Sequence, residues 1–515
     1  MCNMHLLSDR SSTAFAQKLF FLLFLLHAYG CARKHFYAET PVSDPAQYQL
    51  LKQAPATVDS VTVQAGRHYQ RGLLFKALWG ARHRSVWATP VTVPVLDLDT
   101  TKGGLKVEKL GGGMQTISAS LLGGDGMTYA LRTIDKRPEV LLPALLRKTF
   151  LTNLVLDQTS ALHPYAALVV APLSEAANIP HPHPILVYVR PEEEALGEHK
   201  ELLSDKLFLL EEKYNDRRAL IGDLEEASDI VGTKEMLKHR YGSGYHSIDQ
   251  QAFAKARLLD LLIGDRDRHE DQWEWAVYIE GKKHLYRPIP KDRDNAFFRY
   301  DGGLLSWLLS RKWAQRQFIT FHEDYRDVKG LMIKSAYIDA RALPEVTAQQ
   351  FDSLAHELQR TITDDVIEQA VRQLPARVYR LQGEKLARRL KSRRDALDKA
   401  AQNFYNILAE KVQITGTDEE DQFELIRLTD EETDVTVRRK ADGAVMYHRV
   451  FKRSETKEIA LQGLAGDDVF KLRGQVRKGI HISLSGGEGQ DKVEDASTVR
   501  GWRKRTSIQD VEFGS

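Results

Sequence analysis

Cysteine is nearly missing. The 515 residues hold two, Cys2 and Cys31, and both fall at the very start. Two cysteines so placed exclude a disulfide framework and a cysteine-rich zinc site. An excess of one charge is missing as well. Lys and Arg number 73 against 71 Asp and Glu, a formal +2, which argues against a general nucleic-acid binder or a polybasic membrane binder. Long apolar runs are absent beyond Leu19 to Leu26, and that run is too short to span a bilayer, where about 20 residues are needed. No collagen-like, coiled-coil or low-complexity composition occurs. What remains is ordinary for a soluble globular protein, 42% hydrophobic and 28% charged, at a length that suits two to four domains.

The short apolar run has Arg10 and Lys18 before it and Ala28, Tyr29, Gly30 and Cys31 after it. This is the layout of a secretory signal. The segment AYGC resembles a bacterial lipobox, which implies cleavage before Cys31 and its diacylation. Ala28 stands where Leu is commoner, and Tyr29 is bulky for its place. The mature chain would then keep no other cysteine, which suits an oxidising envelope.

Four segments follow from the pattern: residues 1–30 as a lipoprotein signal peptide, 31–88 as a tether with N-terminal strands, 89–412 as an α+β core, and 413–515 as a small all-β domain. Val91 to Ile134 reads as strands, with a turn at Gly123 to Gly126. Leu141 to Ala177 is helical, and Ile185 to Val189 and Leu207 to Glu212 are strands. In 251–263, Ala254, Leu258, Leu261 and Leu262 share one helical face. Phe351 to Glu410 is helical, and its basic run (Arg388, Arg389, Lys391, Arg393, Arg394) reads as a solvated face.

The densest polar cluster runs from Leu261 to Phe298. Asp265, Asp267, His269, Glu270 and Asp271 crowd the end of the helix at Gly264. WEWAVYI and HLYRPI alternate like two strands around EGKK, and Asp292, Asp294 and Asn295 follow. A hairpin there returns Asp294 to the side of Asp267. Two carboxylates converging over a hairpin suit a divalent cation held by oxygen. They also suit an acid that orients a hydroxyl while metal bridges phosphates. The competing reading is a salt-bridged surface loop, with Arg266, Arg268, Lys291 and Arg293 as partners. Trp273 and Trp275 argue for burial instead. His269 reads as a hydrogen-bonding loop residue.

The order helix, GDRDRHEDQ (Gly264 to Gln272), hairpin, Asp294-Asn295 resembles the catalytic segment of atypical protein-kinase-like enzymes, among them the HipA-type kinases, the secretory-pathway casein kinases and the phosphoinositide-kinase-like group. The resemblance implies a two-lobed core with a β-rich N-lobe and a helical C-lobe. It implies ATP or another nucleoside triphosphate with Mg²⁺ or Mn²⁺, Asp267 as the catalytic acid, and Gln272 and Asp294 as metal ligands. Gln272 replaces the commoner Asn. Upstream, Gly111, Gly112 and Gly113 fall where a phosphate-covering turn would lie, and successive N–H groups of such a turn cradle anions. Arg132 falls where such kinases carry a phosphate-pairing Lys, with Lys136 four residues on. LFLLEE falls at the interlobe hinge, where the backbone of Glu211 or Glu212 would meet a purine.

A wider likeness, carried by GGLKVEKLGGGMQT, TYALRTIDK, GDRDRHEDQW and GLAGDDVF, resembles large envelope proteins of Bacteroidetes. With the lipobox it points to a lipid-anchored protein of a Gram-negative envelope, most simply in the outer membrane; the turn-rich C-terminal β-domain reads as a docking surface for an outer-membrane or periplasmic protein, and the charge balance argues against a nucleic-acid partner. A catalytically inactive (pseudokinase) binding or scaffold role stays open beside phosphoryl transfer. A further alternative lies in VTVPVLDLDTT, where Asp97, Asp99 and Thr101 resemble the nucleophile motif of haloacid-dehalogenase-type phosphatases. That chemistry needs the end of a central parallel strand. His181, Pro182, His183 and Pro184 read as a rigid connector, since two His alone close no metal site. GLAGDDVF and SGGEGQDKV resemble calcium-binding Gly-Asp repeats, in two imperfect copies.

Overall fold

The first strands to pair are β1 (Ser60–Val63) and β2 (Val91–Pro94), an antiparallel ribbon. The structure is a computed structural model that describes residues 36–513 apart from 38, 55–56, 112–114, 216, 221–223, 501–504 and 511. The segment expected to be a signal peptide, the expected lipidation site Cys31, and Gly112 and Gly113 lie outside the described residues. Among the described residues no helix is long and apolar enough to cross a membrane.

The N-lobe is a five-stranded antiparallel sheet made of β3 (Leu105–Gly111), β4 (Ser118–Gly123), β5 (Thr128–Thr133), β6 (Ile185–Val189) and β7 (Lys206–Glu212), in the order β3-β4-β5-β7-β6. Leu121, Leu131, Val187, Phe208 and Leu210 fill one face of it. Alternation along each strand turns the opposite side chains, Arg132 and Glu211 among them, toward the second lobe. The phosphatase alternative ends here. Asp97 follows the short antiparallel strand β2, and its carboxylate accepts from the Asp99 N–H at 3.0 Å and the Thr100 hydroxyl at 2.7 Å. It closes a local turn and is not at the end of a central parallel strand.

The second lobe combines helices with a four-stranded sheet of β8 (Asp229–Gly232), β9 (His246–Ile248), β10 (Trp273–Glu280) and β11 (Lys283–Pro290), ordered β8-β10-β11-β9. Its central helix, Gln250–Ile263, starts at Asp249, whose carboxylate accepts from the Ala252 N–H. It is buried on nearly every side and ends at Gly264, which adopts φ +67°. A side chain there would also strike the Phe321 ring, so glycine is required where the polar loop leaves the helix. Helices Ala348–Thr361, Asp364–Arg372, Ala376–Asp395 and Leu397–Ala409 surround it. Leu386, Leu390, Leu397 and Phe404 are buried at the expected spacing.

One member of the basic run departs from the solvated face expected for it. Arg393 is 2% exposed. Its guanidinium donates to the carbonyls of Leu261 and Leu262 and to that of Asp324. It caps the last carbonyls of the central helix, directly before the polar loop. The other four stay closer to solvent, and Arg388, Lys391 and Arg394 pair with surface carboxylates.

The C-terminal domain is all-β, but its strands are largely parallel. It comprises β12 (Lys411–Thr415), β13 (Asp421–Arg427), a hairpin of β14 (Glu432–Arg439) and β15 (Val445–Lys452), then β16 (Glu458–Ala465), β17 (Val469–Arg473), β18 (Gln475–Val476), β19 (His481–Glu488), β20 (Lys492–Asp495), β21 (Thr498–Val499), β22 (Thr506–Gln509) and β23 (Glu512–Phe513). Glu458 pairs with His481, Phe470 with Val493 and Gln475 with Thr498, all parallel, so the chain coils with a period of about 23 residues. The Gly-Asp turns recur at that period and not at nine. Phe423 and Phe470 stack at 4.5 Å between ring centres inside the coil.

Those turns stack their acids. Asp421, Asp468 and Asp491 are buried. Asp468 accepts from the Asp421 N–H at 2.7 Å, and Asp491 from the Asp468 N–H at 2.9 Å. Burial, reinforced by the neighbouring acids, pushes the Asp468 carboxyl up to about 8. An unfolded Asp titrates near 3.9, so the folded state holds a proton that the unfolded state releases. The stability this gives is complete below about pH 4 and is lost as pH rises toward 8, at up to about 1.4 kcal/mol per pH unit. Melts of the full chain should therefore show Asp468→Asn stabilised relative to wild type at pH 9, with the gain gone at pH 4.5. Equal differences at both pH values would disprove the buried proton.

Candidate active site

The loop that leaves Gly264 is anchored by ion pairs removed from water. Asp260, on the central helix, receives Arg257 at 2.6 Å, Arg268 at 3.3 Å and Arg293 at closer range. Arg257 also pairs with Asp339 at 2.8 Å. Arg268 and Arg293 thus have the acidic partners that the surface-loop reading expects, but in the interior. They fix both ends of the loop–hairpin–loop unit to one helix. Arg266 lies 3.9 Å from the centre of the Phe298 ring.

The hairpin forms as its alternation predicts. Trp273 pairs with Pro290 and Glu280 with Lys283, and Trp273 and Trp275 are buried. Register therefore returns Asp292 to Asn295 beside the polar loop. Asp292 sits at φ +58°, a left-handed position that Asp tolerates better than most residues.

Asp267 and Asp294 are neighbours. The Asn295 side-chain amide donates to Asp294 at 2.7 Å and reaches Asp267 at 3.4 Å. Asp267 pairs with Lys334 at 2.8 Å. Burial disfavours its charge, but Lys334 and Arg266 outweigh that, and its pKa lies below the usual carboxylate value. Asp294 pairs with Lys136. Burial raises both Asp292 and Asp294. For Asp292 the Arg132 and Lys136 charges prevail and it titrates low, whereas Asp294 faces the Asp292 charge and is raised. Two acids driven apart in this way mark a site built for charge chemistry.

A cavity of about 520 Å³ opens over Asp292 and Asp294, and Gly111, Arg132, Lys136, Glu211 and Gln272 line it as well; Asp267 lies beside Asp294, outside that lining. Arg132 lies 3.6 Å from Asp292 and 3.5 Å from Glu211. The Glu211 carboxyl is pushed by burial up to about 7. It is this side chain that enters the cavity. Gly111 ends β3, opposite Ser118. Gln272 ends a short turn of helix, and its amide carbonyl oxygen is buried with no hydrogen-bond donor. The oxygen-only set of Asp294 and Gln272, with that carbonyl unpartnered, fits a hard divalent cation. Cavities of about 690 and 750 Å³ lie elsewhere, away from these residues.

Three contributors were not assigned a role from sequence. Lys136 meets Asp294 directly, in place of Arg132. Asn295 links the two acids. Lys334 comes from an apolar run, Leu331-Met332-Ile333, in which a lone Lys was the available signal. His269 caps the short helical turn by accepting from the Asp271 N–H at 3.3 Å, in keeping with a hydrogen-bonding loop residue.

No family model and no curated protein sequence matches the chain. Two solved structures are similar to parts of it. The proinflammatory kinase CtkA of Helicobacter pylori is 12% identical, with a TM-score of 0.33, over 60% of this chain and 98% of that one. The HipA toxin of Shewanella oneidensis, solved with HipB and operator DNA, is 11% identical, with a TM-score of 0.24, over 46% of this chain and 57% of that one. Both likenesses are too loose to place individual residues.

Proposed function

We propose that the cleft between the lobes binds a nucleoside triphosphate with Mg²⁺ or Mn²⁺ and transfers its terminal phosphoryl group to a hydroxyl acceptor. The observation that carries this reading is the Asn295 amide reaching both Asp267 and Asp294, far apart in sequence, where Asp294 lines a cavity that Arg132 and Lys136 also line. Asp294 and the Gln272 carbonyl would hold the cation, whose chemistry is to neutralise charge on the phosphates. Arg132 and Lys136 stand where they can clamp phosphate oxygens. Asp267, held ionised by Lys334, would accept a hydrogen bond from the acceptor hydroxyl and orient it. The lipid anchor at Cys31, the envelope location and a partner protein for the β-domain belong to the same proposal.

A second reading has its own support. Lys136 already neutralises Asp294, and Arg132 lies between Asp292 and Glu211. The cleft is therefore electrostatically satisfied without ligand, as a binding or scaffold protein would allow. Turnover separates the two. Under the catalytic reading, ATP with Mn²⁺ raises the melting temperature and ADP accumulates in proportion to enzyme. A shift without ADP leaves the scaffold, and no shift removes the nucleotide site altogether.

A further inference from the structure

The connector His181-Pro182-His183-Pro184 gains a third partner in the fold. The helix Ala166–Ala176 is capped at Ala177, Asn178 then adopts φ +50°, and the Ile179 N–H returns to the Ser174 carbonyl at 3.0 Å. This reversal lays His181 back over Glu175 at the end of that helix. Prolines at 180, 182 and 184 then hold the segment extended. Among the described residues, Glu175, His181 and His183 are the group of potential ligands whose donor atoms all lie within 4.8 Å of one another.

The hydrogen bonds orient these donors. His181 Nδ1 lies 2.9 Å from the Ile179 carbonyl oxygen. A carbonyl oxygen only accepts, so Nδ1 carries the proton and Nε2 of the neutral ring keeps its lone pair. That lone pair faces the largely exposed Glu175 carboxylate at 3.5 Å, a separation that a shared cation can bridge. A ring N–H tied to a backbone carbonyl is the usual support of a metal-binding imidazole. His183 stacks beside His181 with ring centres 4.8 Å apart. Glu212 holds it from the other side, accepting from the His183 N–H at 2.6 Å, with its carboxylate 3.7 Å from Nδ1.

We infer that Glu175, His181 and His183 form a site for a borderline transition-metal ion of the Zn²⁺ type, with Glu212 beside it as a fourth donor or a hydrogen-bonding support. Two imidazoles with carboxylate suit Zn²⁺ and not Mg²⁺ or Ca²⁺. Glu212 follows Glu211 on β7, and adjacent strand residues face opposite ways. The ion would thus tie the helix end and the His connector to the back of the strand whose front face lines the nucleotide cleft. It is a structural clamp, separate from the acidic site.

The full chain, stripped with EDTA, is titrated with ZnCl₂ while bound zinc and melting temperature are followed. Co²⁺ absorption reports the coordination. Wild type should retain one zinc and melt higher with it. His181→Ala and His183→Ala should each weaken binding by more than about tenfold. Glu175→Gln changes an exposed side chain with no packing role, so it tests the site without a folding penalty and should also weaken binding and alter the Co²⁺ spectrum. His239→Ala, in a separate histidine cluster with His246 and His284, should bind as wild type does. Wild type without stoichiometric zinc, Glu175→Gln and His183→Ala binding like wild type, or loss of zinc in His239→Ala would each overturn the assignment.

Discussion

Asp294→Asn should reduce the thermal stabilisation expected from ATP with Mn²⁺ to the level given by ATP alone. At a hundredfold excess over Kd, a ligand that binds only the folded state adds about 2.7 kcal/mol. Asp294 would provide the one charged oxygen among the proposed ligands, the other being the neutral Gln272 carbonyl. Asn keeps the shape and an acceptor for Lys136 but loses the charge, so the shift should fall to that of nucleotide without metal. The apo variant needs its own baseline, because Lys136 and Asp294 are largely buried, at 15% and 28% side-chain exposure, and neutralising one partner of such a pair destabilises the fold. Melts of both proteins with ATP, Mn²⁺, and the two together decide the matter. An undiminished shift in the variant would remove Asp294 from the site.

The hairpin made that site legible. WEWAVYI and HLYRPI alternate cleanly, the EGKK turn fixes their register, and a two-strand return leaves Asp294 little choice but to come back beside the loop. The helix before it was legible for the same reason, as was the β-rich N-lobe ahead of a helical C-lobe. Arg393 was misread because a basic run looks alike whether or not one of its members turns inward. Yet Arg393 falls three residues after Leu390 and four before Leu397, on the apolar face, and helical periodicity alone could have flagged it. Lys334 left a weaker trace, since its approach to Asp267 depends on how two distant segments pack. The parallel coil was missed for another reason. Its repeat is about 23 residues, and each turn keeps only a Gly, an Asp and an apolar residue in common, with the first coil split by the β14–β15 hairpin. The divided roles of Asp292 and Asp294 were beyond reach from sequence, because they depend on which acid faces Arg132.

Asp267→Asn should leave the ATP–Mn²⁺ shift intact and lower phosphoryl transfer by about 10²–10⁴-fold, the usual contribution of a positioned acid or base. The two readouts part if, as proposed, Asp267 serves the acceptor and Asp294 the metal. The Asn295 amide reaches Asp267 at 3.4 Å, and Asp267→Asn still offers it an oxygen, so the link to Asp294 should be kept. Lys334 adds a test that a merely structural role would not pass. It holds the Asp267 carboxyl below its usual value, so Lys334→Met should move the acid limb of the transfer rate to higher pH. The sign follows directly: with its cation removed, burial drives the carboxyl upward, and the ionised acceptor form then appears only at higher pH. A transfer rate measured from pH 4 to 8 in both proteins reads the displacement. An Asp267→Asn variant that transfers at the wild-type rate, or a Lys334→Met profile that coincides with wild type, would place the acceptor hydroxyl against some other group.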